Sequence, residues 1–306
     1  MARQQSLFCK QLFQTHKTEF YESIFYLGHP AHFHLFKNLI NLLIANNNQV
    51  LITIKSKDVL EKLVQKSGYS YVNIYERTRR KNIVSILWAL LQKDIRLLSI
   101  AGKFKPDVLL GTSIEITHVG KLIGKPAYIF NEDDAAYIKE FVLLGYPFAR
   151  KIFIPEGVDA GKWDNKCLRY KGVQKLAYLH PNYFTPNKEI VSDFIKSNKP
   201  YALIRLSGLT AYHDKGIGGF TGEILKEVID VLEPNLNVYI SSESALPEEF
   251  SKYKLKIEAE NIHHFPNFAH LFIGDSQSMS IEAALLGTYT IRFTGFAGRI
   301  SVMKIF

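Results

Sequence analysis

The stretch Gly28-His29-Pro30-Ala31-His32-Phe33-His34 decides how the fold begins. It lies between the apolar run from Ile24 to Leu27, typical of a buried strand, and the run from Leu35 to Ala45, typical of a helix. Gly28 is expected to take the positive φ of a tight turn, and Pro30 presets φ for a first helical turn. The stretch therefore predicts a strand–turn–helix corner whose backbone donors point outward, which suits an anion or a sugar-phosphate.

Three histidines, His29, His32 and His34, crowd this corner. The positive end of a helix dipole disfavours an imidazolium, so one of these rings is expected to stay neutral near pH 7 and to serve as a base or hydrogen-bond partner. The alternative is that they cap the turn and fill the edge of the core. No metal site is predicted, because residues two apart do not share a helical face and no Cys or acidic partner stands at ligand spacing.

Composition and charge narrow the class of protein. The net charge of +9 indicates an anionic partner and by itself leaves nucleic acid, nucleotide-sugar and an anionic lipid surface open. Cys9 and Cys167 are far apart, which favours a reducing, cytoplasmic setting. No apolar run reaches the length of a membrane-spanning helix, and residues 1–22 are interpreted as an accessory segment without a functional role.

Short β-rich runs alternate with longer amphipathic runs along the whole chain, which predicts an α/β fold with parallel sheets. The pattern occurs twice, so we expect two Rossmann-like domains, one over residues 23–160 and one over residues 161–306. The predicted join lies near residues 157–165, where Gly, Asp and Trp replace regular periodicity. Ligands of such sheets bind beyond the carboxyl ends of the strands, which places the site in the cleft between the halves.

A second strand–turn–helix corner runs from Phe272 to Thr288. Ser276 and Ser278 supply hydroxyls beside the free N–H groups of a helix start, where a phosphate binds well. Glu282 follows Ser278 by one helical turn and is placed to accept hydrogen bonds from ribose hydroxyls. The alternative is ordinary capping by the serines and a solvent-facing Glu282.

The segment from Asp275 to Gly287 resembles the nucleotide-binding motif of GT-B enzymes and aligns without gaps to non-hydrolysing UDP-N-acetylglucosamine 2-epimerases. The resemblance implies that Ser276, Gln277 and Ser278 hold a diphosphate and that Glu282 holds a ribose. The epimerases carry glycines where this chain has Gln277 and Ser278.

Over residues 23–306 the chain is similar to uncharacterised GT-B-like proteins found with surface-polysaccharide genes. This similarity implies that the two domains face a cleft, with an N-terminal acceptor domain over residues 23–160 and a C-terminal nucleotide-sugar domain over residues 161–306. It also implies a UDP-sugar as substrate rather than a cofactor, a glycan or lipid-linked acceptor, and no nucleic acid. GT-B folds usually end with helices that cross back to the first half, and this sequence is expected to lack them.

Further candidates follow other predicted strands. Glu132 and Asp133 are crowded carboxyl groups suited to acid–base work, and Glu115 follows a neighbouring strand. Arg205, with Gly28 and His29 on the opposite side, is a candidate substrate-binding residue that would clamp a diphosphate. His213 precedes a glycine-rich loop and is a candidate for contact with a phosphate or a base.

The basic run Arg77-Thr78-Arg79-Arg80-Lys81 precedes a helix that carries Trp88. One interpretation is a peripheral contact with a membrane surface, where lipid-linked acceptors reside. The alternative is a core helix preceded by solvated arginines.

Three functions follow from these observations. The leading hypothesis is a UDP-sugar-dependent glycosyltransferase of surface polysaccharide or glycolipid synthesis, with His32 as the base. The second is a sugar-nucleotide 2-epimerase, for which Glu115, Glu132 and His213 are the available acids and bases. The third is a non-catalytic nucleotide-sugar-binding protein, favoured by the departures at Gln277 and Ser278.

Overall fold

The computed structural model describes residues 21–55, 58–75, 83–206, 220–242, 245–293 and 301. The predicted segment 1–22 therefore lies almost wholly outside the described residues. The basic run at residues 77–81 and His213 lie outside them entirely.

The first half contains a seven-stranded sheet in which every neighbouring pair is parallel. Its spatial order is β3-β2-β1-β4-β5-β6-β7. The strands are β1 (Glu22–Leu27), β2 (Gln49–Lys55), β3 (Tyr71–Tyr75), β4 (Val108–Gly111), β5 (Ala127–Phe130), β6 (Lys151–Pro155) and β7 (Cys167–Tyr170).

Among the described residues of this half, five α-helices cover both faces of the sheet. They are α1 (Pro30–Ala45), α2 (Asp58–Lys66), α3 (Ile83–Phe104), α4 (Glu115–Ile123) and α5 (Lys139–Gly145). Alternate residues of β1 enter different cores: Phe25 packs with α1 and α2, whereas Ile24 packs with α3 and α4. This burial on both faces explains why the central strands read as continuous apolar runs.

The second half contains a four-stranded parallel sheet in the order β11-β10-β8-β9. Its strands are β8 (Tyr201–Leu206), β9 (Asn237–Ser242), β10 (Leu271–Gly274) and β11 (Tyr289–Arg292). The remaining helices are α6 (Leu176–Leu179), α7 (Lys188–Phe194), α8 (Gly222–Leu232), α9 (His264–Phe268) and α10 (Gln277–Leu285). The predicted α/β class with two parallel, Rossmann-like sheets is confirmed.

The sheets do not divide at the predicted join. β7 begins after residue 160 yet pairs with β6, so the first sheet extends to Tyr170. The irregular residues 157–165 are a connection inside the first half, which includes a 3-10 turn over Gly161–Lys166. Glycine and aspartate mark a turn there, and a turn between neighbouring strands has the same composition as a linker.

The two halves pack against each other. Ile281 of α10 is buried in the core cluster that otherwise belongs to the first half. The segment that follows β7 also joins this packing, because Asn38 of α1 donates a hydrogen bond to the Ala177 carbonyl at 2.8 Å. Within the described residues, no helix is long and apolar enough to cross a membrane.

Candidate functional site

The carboxyl ends of three neighbouring strands build one wall of a cleft. β1, β4 and β5 are adjacent in the sheet, so the residues that follow them meet at one edge. These residues include His29 and His32 after β1, Thr112 after β4, and Asn131, Glu132 and Asp133 after β5. The cleft has a volume of about 390 Å³, and the second half contributes Gln277 and Ser278 to its lining.

His29 begins helix α1 and caps it. Its Nδ1 accepts a hydrogen bond from the Ala31 backbone N–H at 3.2 Å, with Pro30 in the first helical turn. The capping interpretation therefore holds for His29, although its side chain also lines the cleft. Its assignment to substrate binding stays a prediction.

Gly28 does not adopt the expected turn geometry, because it is not among the glycines with positive φ. A Cβ at this position would meet the Tyr26 ring at 3.4 Å, an ordinary contact. What Gly28 contributes is its backbone N–H, which donates to His32 Nδ1 at 3.1 Å. The strand leads into the helix without a left-handed residue, since the chain stays extended through His29.

His32 is held from both sides of the corner. Besides the Gly28 N–H, the Thr112 hydroxyl oxygen lies 2.7 Å from His32 Nδ1. Because a backbone N–H only donates, Nδ1 accepts here, and the proton of the neutral ring lies on Nε2, 3.0 Å from the same Thr112 oxygen. For His32 to act as a base at Nε2, this proton has to move to Nδ1, and the hydrogen bond from the Gly28 N–H is then lost.

His34 is the histidine that the fold keeps neutral. Burial lowers its pKa well below the usual range, and the nearby charges of His263 and Lys37 lower it further. Its ring packs edge-on against the ring of His263, with centroids 4.5 Å apart. His34 therefore joins α1 to the second half and does not line the cleft.

Glu282 lies beneath the cleft, where only 3% of it is exposed. Tyr178 donates a hydrogen bond to its Oε1 at 2.6 Å, and His263 Nε2 lies 3.4 Å from its Oε2. Burial by itself raises the pKa of Glu282, but His263 and the hydrogen bonds outweigh burial and leave the pKa lowered. Glu282 is thus a buried carboxylate rather than the solvent-facing residue of the capping alternative.

Glu132 and Lys175 form an ion pair in the lining of the cleft. Burial lowers the pKa of Lys175 to about 8, although the negative charge of Glu282 acts to raise it. The Lys175 ammonium therefore stays mostly protonated at neutral pH. The second carboxylate oxygen of Glu132 is buried and has no hydrogen-bond partner within the described residues. This oxygen is an acceptor that a substrate hydroxyl can use.

Asp133 connects the two walls of the cleft. Gln277 Nε2 donates to Asp133 Oδ1 at 3.3 Å, and Arg292 Nη2 lies 3.5 Å from Gln277 Oε1. Burial raises the pKa of Asp133, although the Gln277 hydrogen bond and the Arg292 charge oppose this change. Gln277, which stands where the epimerases have glycine, therefore forms a contact between the two halves.

The start of α10 carries the residues predicted to hold a diphosphate, a role that stays a prediction, and the capping alternative holds for Ser276. Ser276 caps the helix, and its hydroxyl oxygen accepts from the Met279 N–H at 3.5 Å. Ser278 lines the cleft, whereas Ser276 lies beside it. Gly287, with a φ of +86°, ends the segment in the left-handed region that glycine tolerates.

Two other predicted residues lie away from the cleft lining. Arg205 Nη1 donates to Ser241 Oγ at 2.8 Å, which holds the guanidinium against β9. Glu115 is buried between α3 and α4, where it contacts Lys93 and Ser113. Arg205 stays a predicted diphosphate ligand, whereas the position of Glu115 does not suit a role in a reaction inside the cleft.

Sequence reasoning missed Lys175, Tyr178, His263 and Arg292. Lys175 precedes the four-residue helix α6 and Tyr178 lies in it, and a helix of this length is too short to produce a periodic pattern. Arg292 ends β11, and its position next to α10 depends on the order of the strands. Within the described residues, no group of three His, Cys, Asp or Glu side chains is arranged to hold a metal ion.

Several solved structures share this fold. The UDP-GlcNAc 2-epimerase of Neisseria meningitidis, bound to UDP-GlcNAc, is 14% identical with a TM-score of 0.62, over 89% of this chain and 82% of its own. S. aureus MnaA, solved with UDP, is 12% identical with a TM-score of 0.64, over 92% of this chain and 80% of its own. The spinosyn rhamnosyltransferase SpnG, complexed with spinosyn aglycone, is 16% identical with a TM-score of 0.53, over 89% of this chain and 80% of its own.

These similarities show the GT-B-like fold of two Rossmann-like domains, as the sequence resemblance implied. No curated protein sequence matches this chain. The model of a protein family of unknown function, DUF354, matches residues 25–302, and the chain therefore belongs to that family.

Proposed function

We propose that this chain is a glycosyltransferase that takes a UDP-sugar as donor and binds it in the cleft between its two halves. The observation that carries the proposal is the pairing of two walls. The start of α10 forms one of them, and His32 with the carboxyl groups after β5 forms the other. Structures of the same fold contain UDP-GlcNAc, UDP or a spinosyn aglycone, which supports a nucleotide-sugar as the ligand of this fold.

The donor is placed with its diphosphate at the N-terminus of α10. The free N–H groups there and the hydroxyl of Ser278 are suitable donors to phosphate oxygens, and the helix dipole adds a favourable field. Arg292, next to Gln277, brings a cation to the same place. Glu282 lies one turn deeper, and binding a ribose there requires the carboxylate to exchange the hydrogen bond from Tyr178 for one from the sugar.

The acceptor hydroxyl is placed beside His32. In the proposed reaction His32 takes the proton of this hydroxyl. The oxygen of the acceptor hydroxyl then attacks the anomeric carbon of the donor. The bond from that carbon to the β-phosphate oxygen breaks, and UDP leaves with the electron pair. The developing negative charge is stabilised by the α10 N-terminus and Arg292. Glu132 and Asp133 are placed to bind sugar hydroxyls.

Epimerisation of a sugar-nucleotide is a second candidate, and the raised pKa of Asp133 favours it. A carboxyl group whose pKa is raised by burial, in the same cleft as an imidazole, is suited to remove and return protons. In this version Asp133 joins Glu132 as the acid and base, a role for which the sequence offered Glu115, Glu132 and His213. A binding protein without catalysis is the third candidate.

The test incubates the full chain with a panel of UDP-sugars, with and without a glycolipid extract, and follows the products by mass spectrometry. Acceptor-dependent release of UDP supports transfer, an isomerised sugar on intact UDP supports epimerisation, and binding without turnover supports the third candidate. His32→Gln is the test variant. His270→Gln is its matched control, because His270 is exposed beside the second sheet.

A further inference from the structure

An apolar stripe lies on the outer side of helix α3. Its four members recur at helical spacing and are large and exposed: Leu87 (53%), Trp88 (59%), Leu91 (47%) and Ile95 (57%). The opposite side of α3 is buried in the core through Leu97 and Ala101. The stripe therefore points away from the sheet, and the interpretation of α3 as a simple core helix does not account for it.

Neighbouring helices of the same layer also carry large exposed apolar side chains. α3, α4 and α5 all pack on one face of the first sheet. Leu122 of α4 is 69% exposed and Leu143 of α5 is 68% exposed. We call the surface formed by these two residues and the α3 stripe the outer apolar surface. Large apolar side chains gathered on one helical layer indicate an interaction surface.

The exposed charges of the same layer are mostly positive. Among the described side chains of α3, α4 and α5, the exposed cations are Arg96, Lys103, Lys121 and Lys139, and Glu140 is the exposed anion. The acidic Glu115 is buried in contact with Lys93 and adds no negative charge to this surface. The layer thus combines exposed apolar side chains with an excess of positive charge.

We propose that the outer apolar surface docks on an anionic membrane surface. A tryptophan flanked by leucine and isoleucine on one helical face inserts at the level of lipid headgroups, and lysine and arginine around it attract anionic lipids. Protein–protein interfaces are depleted of lysine, which favours lipid over a protein partner. Docking does not depend on the proposed reaction, but it would bring the half that carries His32 to a lipid-linked acceptor.

Co-sedimentation with vesicles tests the proposal without any nucleotide. The full chain should sediment with vesicles that contain phosphatidylserine and stay in solution with pure phosphatidylcholine. Raising the salt to about 0.5 M should reduce binding, because the Debye length falls well below 10 Å. Trp88→Glu should lower the partition coefficient of the protein into these vesicles about tenfold, since it places a negative charge against anionic lipid. Val231→Glu is the matched control, because Val231 is 74% exposed on α8 of the second half.

Fluorescence gives a second measurement that does not depend on an inserted charge. Trp163→Phe leaves Trp88 as the single tryptophan, because the sequence has two. The emission of Trp88 should shift to the blue with anionic vesicles and be quenched by brominated acyl chains. Absence of vesicle binding overturns the proposal, as does binding that Trp88→Glu leaves unchanged. A dimer detected by light scattering and lost in Trp88→Glu would also overturn it, because a second copy would then cover the surface.

Discussion

Replacing Glu282 with glutamine tests the buried contact that joins the halves. Glutamine has nearly the same shape and still accepts the hydrogen bond from Tyr178 OH, but it removes the negative charge that faces His263. Hydrogen bonds to a charged group contribute about 1.5–3 kcal/mol. We therefore expect Glu282→Gln to reduce the free energy of unfolding by about this amount.

The pH dependence of this loss can be predicted from the lowered pKa of Glu282. A carboxyl group whose pKa is lower in the folded state stabilises the protein above its unfolded pKa, which is near 4.5. This stabilisation is lost as the pH falls through the folded pKa. The free energy of unfolding of Glu282→Gln should thus differ most from that of the parent at pH 7, and the difference should shrink as the pH falls below 4.5.

Thermal unfolding monitored by circular dichroism is the assay. A loss of 1 kcal/mol lowers Tm by about 2–4 °C in a domain of 150–250 residues, so a loss of about 1.5–3 kcal/mol should lower Tm by about 3–12 °C at pH 7. Glu227→Gln on α8 is the control, because Glu227 is exposed. A Glu282→Gln protein with the Tm of the parent at pH 7 would refute the reasoning, since the buried carboxylate would then contribute nothing to folding.

Four further predictions concern the cleft and its surroundings. His32→Gln should abolish turnover and keep the Tm, whereas a matching loss of both in thermal and activity assays would assign His32 to folding. Thr112→Val should lower kcat and shift its pH profile, and Thr112→Ser should restore both, because the hydroxyl next to His32 Nδ1 would be kept. The parent should lose about 1.4 kcal/mol of unfolding free energy per pH unit below pH 6.5, until the pH reaches the lowered pKa of His34 in the folded state. His34→Leu should remove this loss, which denaturation at several pH values would measure. Calorimetry should find that Glu282→Ala weakens UDP binding about 10- to 150-fold, the equivalent of 1.5–3 kcal/mol, and an unchanged Kd would exclude contact with the ribose.

The strand and helix pattern of the chain was predictable because each central strand is buried on both faces. The continuous apolar run before Gly28 predicted β1, and α3 begins and ends at the predicted residues, Ile83 and Phe104. β6 and β7 were missed, since they follow irregular segments in which turn residues hide the period. The predicted join failed for the same reason.

The candidate site was predictable only in part. Residues that follow β1, β4 and β5 were placed at one edge, because parallel strands align their carboxyl ends. Sequence patterns were enough to predict the two parallel sheets, the two strand–turn–helix corners and the acidic residues after β5. These features depend on local periodicity and on backbone chemistry that a few neighbouring residues specify.

Which of these groups come into contact depends on how distant parts of the chain pack together. Tyr178 and Glu282 are 104 positions apart, and Asp133 and Gln277 are 144 apart, yet each pair forms a hydrogen bond. The structure also buried Glu282, kept His34 neutral and left Trp88 exposed. No local pattern contains this information, because the burial and the pKa of a side chain depend on which distant elements pack around it.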